Sequence, residues 1–253
     1  MVSSPVPWVF LRGLSRGSAH WGHFLQEFAT AMPEAQVIAL DLPGNGALWQ
    51  QHSPASVAAM AQDCRRQLQQ RGIAGPVGLL ALSMGGMVAA HWATHWPQEL
   101  RELVLINTSM RPFSPAWQRL QPGNFWRLLQ LAVGVADGAA REQEILRLTS
   151  NHAGYAVLAE WLVERAHHPV SAANTIRQLL AAARFRAALQ APAVPALVLA
   201  GQHDRLVAVP CSQALARHWG LELRLHASAG HDLTLDAGPW VAAEVRRWRT
   251  DRR

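Results

Sequence analysis

The chain alternates between short apolar runs and longer stretches in which apolar residues recur at helical spacing. Six runs read as strands, at residues 7–13, 35–41, 76–82, 100–107, 195–201 and 221–227. Most are apolar at nearly every position, as strands covered on both faces are, rather than alternating as half-wet strands do. Helical patterns follow most of them. Residues 20–32 follow the first strand. Residues 53–72 follow the second, with Ser53 as N-cap, Pro54 at the first helical position and Gly72 just past the end. Residues 84–96 follow the third and stop before Pro97. Residues 210–220 follow the fifth, and 239–250 close the chain. Alternation of this kind predicts an α/β fold, a mainly parallel, doubly wound sheet of about six strands with right-handed crossovers.

One segment breaks the rhythm. Between Asn107 and Pro195 no strand pattern occurs, and residues 123–133, 139–151, 155–168 and 171–189 all read as helices. That connection is far longer than an ordinary crossover. The expected organisation is a core formed by residues 1–109 and 190–253, with a helical cap at 110–189.

Composition narrows the class. The 253 residues are half apolar and 16% charged, which suits a soluble globular chain with one large domain and an insertion. The net charge is +6, and every basic residue is arginine because the chain has no lysine. The arginines are scattered, with their densest cluster at 246–253, so no nucleic-acid stripe or module is evident. Cys64 and Cys211 form no disulfide or metal pattern and suit a reducing compartment. The first residues lack the basic and long apolar regions of a signal peptide, and no apolar run reaches 18 residues. A cytoplasmic protein without membrane attachment is therefore expected. No glycine-rich phosphate fingerprint occurs, so no nucleotide cofactor is expected. His91 and His95 lie one helical turn apart without the glutamate of a zinc motif, so no metal is expected either.

In an open parallel sheet, ligands bind beyond the carboxyl ends of the strands. After the third strand comes "ALSMGG", residues 81–86, close to the nucleophile elbow G-x-S-x-G. The elbow needs small residues around its serine because strand end and helix start nearly collide. Ala81 adds one methyl to the usual glycine and leaves Ser83 a candidate nucleophile, although a serine opening a helix is also a common cap. After the last strand comes His231, a candidate general base. After the fifth comes Asp204, a candidate to orient that base, with Asp232 and Asp236 as rivals. The order Ser, Asp, His, each just past a strand of one sheet, points to a catalytic triad. The amides of Met84 and Leu14 are the candidate oxyanion donors. Asp41 and Asn45, in "DLPGNG", read as loop-fixing residues. Trp21, Trp117, Trp126 and Trp161 could line an apolar acyl pocket, although core packing is their commoner role.

These residues resemble the α/β-hydrolase superfamily with a helical cap. The resemblance is strongest to the small bacterial esterase and C–C-hydrolase-like branch that includes pimeloyl-carrier-protein methyl ester esterases. It rests on "RGL" at 12–14, "DLPGNG" at 41–46, "ALSMGG", "GQHDRLV" at 201–207 and "GHD" at 230–232. It implies a serine hydrolase acting on a small to medium, largely apolar carboxylic ester through an acyl-enzyme, with no cofactor. Three departures stand out. Arg12-Gly13 replaces the usual His-Gly, Ala81 replaces a glycine, and the family's N-terminal hairpin is expected to be missing. Alternatives are C–C bond cleavage or a lyase step on the same triad, a non-catalytic binding role, or an ester linked to an acidic acyl carrier protein. The last would dock on Arg119, Arg127, Arg147, Arg177 and Arg184.

Overall fold

The apolar runs become six strands: β1 (Val6–Leu11), β2 (Ala35–Leu40), β3 (Val77–Leu82), β4 (Leu100–Ile106), β5 (Ala196–Gly201) and β6 (Glu222–His226). The structure, a computed structural model, describes residues 5–73, 75–124, 127 and 138–252. The strands form one sheet in the order β2-β1-β3-β4-β5-β6, and every neighbouring pair is parallel. The expected six-stranded parallel sheet is therefore what the chain forms.

Each strand splits its side chains between two apolar layers. Val9, Leu11, Leu79, Ala81, Leu103, Leu105 and Val198 face helices α2 (Val57–Gln70), α3 (Met84–His95) and, further along the chain, α8 (Pro210–Trp219). Trp8, Phe10, Leu80, Leu82, Val104, Ile106, Leu197 and Leu199 face α1 (Phe24–Ala31) and α9 (Leu233–Thr250). Double coverage explains why the strands lack alternation. On the second face Trp8, Phe10, Trp21, Phe24 and Phe28 interlock, with ring centroids 4.9–5.9 Å apart. Burying each such side chain contributes about 1.5–3 kcal/mol.

Between β4 and β5 lie α4 (Ala116–Arg119), α5 (Gly138–Thr149), α6 (Tyr155–His167) and α7 (Ala172–Arg184). Ser171 caps α7 by accepting the Asn174 amide at 3.1 Å. The expected helix at 123–133 falls largely outside the described residues. None of the described helices is long and apolar enough to cross a membrane.

Three helix boundaries differ from expectation. α2 starts at Val57 with Ser56 in the cap position, so Ser53 is not the N-cap. Its buried hydroxyl instead donates to the Pro43 carbonyl at 2.7 Å and accepts from Gln178 Nε2 at 2.9 Å. The expected helix 20–32 splits into a short 3-10 turn, Ser18–Trp21, and α1, with Gly22 at φ +51° between them. The last helix begins earlier, at Leu233, and bends at Ala237 ahead of Pro239.

Candidate active site

β1 and β3 are neighbours, and β2 lies on the far side of β1. Strand order reverses there, so the chain segments leaving β1 and β3 part and open a crevice at their carboxyl ends. Ser83 sits in that crevice at φ +57°, ψ −119°, a backbone conformation that side chains rarely adopt. Bonds to β4 and to the segment just after it help hold it there. Its amide donates to the Ile106 carbonyl at 2.8 Å, and its carbonyl accepts from Thr108 Oγ1 at 2.7 Å. A methyl on Gly85 would lie against the carbonyl oxygens of Leu11 and Arg12, 2.6 Å from the latter, so only glycine lets α3 start this close to β1. Ala81 meets no such limit. Its methyl belongs to the apolar layer under α2 and α3, fully buried.

The three residues expected at the strand ends converge. His231 Nε2 is 2.9 Å from Ser83 Oγ, and His231 Nδ1 is 2.7 Å from Asp204 Oδ2. The other Asp204 oxygen accepts the amides of Leu206 and Val207 at 2.8 and 2.9 Å. That carboxylate is thus held in one orientation and remains an acceptor toward the imidazole. His231 and Asp204 are both buried, whereas Ser83 is partly exposed. Asn107, at φ +45°, braces the histidine loop. Its Nδ2 donates to the carbonyls of Gly230 and His231, and its Oδ1 accepts the Gly201 amide.

The rival acids have other partners. Asp236 accepts the Ser150 hydroxyl and the amides of Asn151 and Gly230, tying the histidine loop to the end of α5. Asp232 faces Arg12, with Nη2–Oδ2 at 2.5 Å and Nη1–Oδ1 at 3.1 Å. Burial works against the Asp232 charge, but the Arg12 guanidinium and the Thr234 hydroxyl outweigh it and hold the carboxyl below its ordinary range. Arg12 also lies over the Trp21 ring, 4.8 Å from its centroid. Arg12 therefore joins the loop after β1 to the residue beside His231.

Leu14 and Met84 line a cavity together with Ser83. Among the described residues no acceptor takes either amide, and Met84 begins α3, where amides lack intrahelical partners. Gly13 backs onto Ser83, where an added methyl would come within 3.0 Å of the serine Cβ.

Two cavities meet at Ser83, sharing Leu14, Leu179 and Leu206. The larger, about 1130 Å³, is walled by Met84, Met87, Pro112, Pro115, Trp117 and Leu120 among others. The smaller, about 80 Å³, holds Arg12, Arg16, Arg141, Thr175 and Asp232. Trp117 is therefore on a cavity wall. Trp21 and Trp161 are not: both are buried, and they carry the guanidinium groups of Arg12 and Arg16 at 4.8 and 4.1 Å. Trp126 lies outside the described residues.

Asp41 and Asn45 fix the loop after β2. Asp41 accepts the amides of Ser18 and Ala47, and Asn45 donates to the Arg16 carbonyl and accepts from Gln178. His91 and His95 stack at 3.9 Å, and the described residues contain no cluster of three potential metal ligands. Arg16, Arg141, Asn107 and Gln178 were not readable as site residues. Arg141 meets Thr175, 34 positions on, and the others have partners roughly 90–160 positions away, as for Arg16 with Glu142 and Ser15 with Gln178, so only the fold makes them neighbours.

Residues 8–238 match the family described as serine aminopeptidase, S33. The chain belongs to that family. It is an enzyme of the α/β-hydrolase type. Over 264 aligned residues it is 30% identical to 2-succinyl-6-hydroxy-2,4-cyclohexadiene-1-carboxylate synthase of Serratia proteamaculans (strain 568), covering 96% of this chain and 92% of the relative. Its fold is similar to that of a thermophilic esterase from Thermogutta terrifontis, solved with malate bound, at TM-score 0.74 and 23% identity over 98% of this chain and 90% of that one. It is also similar to that of the enol-lactonase from Burkholderia xenovorans LB400, at TM-score 0.78 and 18% identity over 98% and 92%. This α/β-hydrolase thus shares the architecture of an esterase and of an enol-lactonase.

Proposed function

We propose that this α/β-hydrolase is a serine esterase in which Ser83, His231 and Asp204 act as a triad. The observation that carries the reading is the chain of two short contacts, Ser83 Oγ to His231 Nε2 and His231 Nδ1 to Asp204, at a strained elbow. Ser83 Oγ attacks the ester carbonyl as its proton passes to His231 Nε2. The Leu14 and Met84 amides take the oxyanion. Collapse of that adduct breaks the C–O bond, and the alcohol leaves with the proton from His231. Water, deprotonated by the same nitrogen, then attacks the acyl-enzyme. The acid departs, and the proton returns to Ser83. Asp204 orients the imidazole and stabilises its cationic form. The larger, mostly apolar cavity supports a substrate with an apolar chain.

The test is covalent labelling. Wild type reacts with an active-serine fluorophosphonate and hydrolyses p-nitrophenyl esters, and Ser83→Ala does neither. Ester hydrolysis by Ser83→Ala at more than about a thousandth of the wild-type rate would overturn the nucleophile assignment.

A second reading is a lyase or C–C cleaving step on the same residues. It is supported by the full-length similarity to the Serratia synthase. In that case His231 acts with little or no accumulation of acyl-enzyme, and mass spectrometry of quenched turnover distinguishes the two.

A further inference from the structure

The smaller cavity beside Ser83 has a charge imbalance that the triad chemistry does not use. Three guanidinium groups, those of Arg12, Arg16 and Arg141, stand in its wall with one carboxylate, Asp232. Arg12 is matched by Asp232 in a two-pronged contact. Arg16 is matched by Glu142 at 2.6 Å, and Glu142 is also 3.4 Å from Arg165. Four cations therefore share two carboxylates. Arg141 is the one left over. It is 4% exposed and has no carboxylate within ion-pair distance among the described residues. Its Nη2 meets the Thr175 hydroxyl at 3.4 Å, and its Nε has no partner, nor has Nη2 of Arg16.

An unmatched guanidinium buried in protein is costly unless an anion completes it. Burial, and then the neighbouring charge of Arg165, draws the Arg141 pKa down from its ordinary value, as expected of a cation without its partner. Guanidinium groups pair with carboxylates in planar, two-pronged geometry, and a cavity of about 80 Å³ admits a short group, not a chain.

We propose that the smaller cavity is a subsite for a carboxylate on the substrate, held by Arg141 with support from Arg16. The ester cleaved at Ser83 then carries an anion a few atoms from the scissile carbonyl on one side and an apolar chain, in the larger cavity, on the other. This rests on the reading of Ser83 as the nucleophile, and it adds the substrate class.

The experiment compares matched esters in two assays. Monobutyl succinate carries the anion on the acyl side, and butyl 4-methylpentanoate is its neutral counterpart in shape. The butanoate ester of 3-hydroxypropanoate places the anion on the alcohol side. Calorimetric titration uses Ser83→Ala, which binds without turnover, and steady-state kinetics use wild type. At least one anionic ester binds Ser83→Ala at least tenfold more tightly than the neutral one, and wild type shows the same preference in KM. Adding Arg141→Gln removes the preference, and Arg141→Lys restores part of it, which packing alone would not do. Equal binding of anionic and neutral esters by Ser83→Ala, or a preference that survives Arg141→Gln, overturns the proposal. Fluorophosphonate labelling of wild type separates the two readings. Labelling without an anion preference sinks the subsite alone, and tight anion binding without labelling sinks the nucleophile alone.

Discussion

Arg12 and Asp232 are both almost fully buried, and each is the other's charge partner. Removing one leaves the other charged and dry. Asp232→Asn is expected to destabilise the fold by about 3–5 kcal/mol in urea unfolding. The double variant Arg12→Met/Asp232→Leu should cost clearly less than the two single changes added together, because no lone charge remains. The same pair sets a response to acid. The folded pKa of Asp232 is depressed, so its stabilisation is present above the ordinary aspartate pKa of about 3.9 and is lost as pH falls through the folded value. His20 acts in a higher window. Burial, then the charges of Arg16 and Arg12, hold its pKa well below 6.5. The unfolded chain takes up a proton there and the folded chain does not, so stability falls as pH drops below 6.5. His91, held down to about 4 by burial and His95, slopes the same way, so His20→Gln should lessen, without abolishing, the fall in melting temperature between pH 7 and 5 seen in the wild type.

At the level of elements, the elbow shows how one motif divides into strict and lenient positions. Gly85 meets the backbone of β1, whereas Ala81 points into a side-chain layer that accommodates a methyl. Gly85→Ala should therefore abolish expression of folded protein. Ala81→Gly should fold and lose about 1 kcal/mol or slightly more, from strand entropy and a lost buried methyl, as read by denaturant midpoint. Asn174, Thr175 and Gln178 tie α7 to the core. Gln178 donates to Asn45 Oδ1 and Ser53 Oγ and accepts the Ser15 amide at 2.8 Å. Gln178→Leu would leave two buried groups, Asn45 Oδ1 and Ser53 Oγ, and the half-buried Ser15 amide short of a partner, the buried ones each costing about 1–3 kcal/mol. Because Ser15 follows Leu14 directly, that variant should also weaken turnover in the ester assay beyond its loss of stability.

Across the whole molecule, the sheet delivers Ser83, Asp204 and His231 to one crevice, and residues of α5 and α7 line the smaller cavity beside it. The two cavities meeting at Ser83 differ chiefly in size. Lengthening the apolar side of a p-nitrophenyl ester should raise kcat/KM by roughly fourfold per buried methylene, at about 0.8 kcal/mol each, until the larger cavity is filled. A flat profile from acetate to octanoate would show that this cavity does not hold the chain.

Much of this was legible in the order of residues. Continuous apolar runs separated by helical periods predict a doubly covered parallel sheet, because period and run length record which faces are dry. The strand ends then locate Ser83, Asp204 and His231, because a parallel sheet places every carboxyl end on one edge. Three things were decided only by tertiary structure. Ser53 left its expected cap role because a buried hydroxyl takes the partners that packing brings, here Pro43 and Gln178. Trp21 and Trp161 went behind arginines and not onto the cavity wall. The charge balance of the smaller cavity joins Arg12 to Asp232 and Arg16 to Glu142, pairs 220 and 126 residues apart. Local periodicity carries no information at such separations, and ion pairing is set by distance in space.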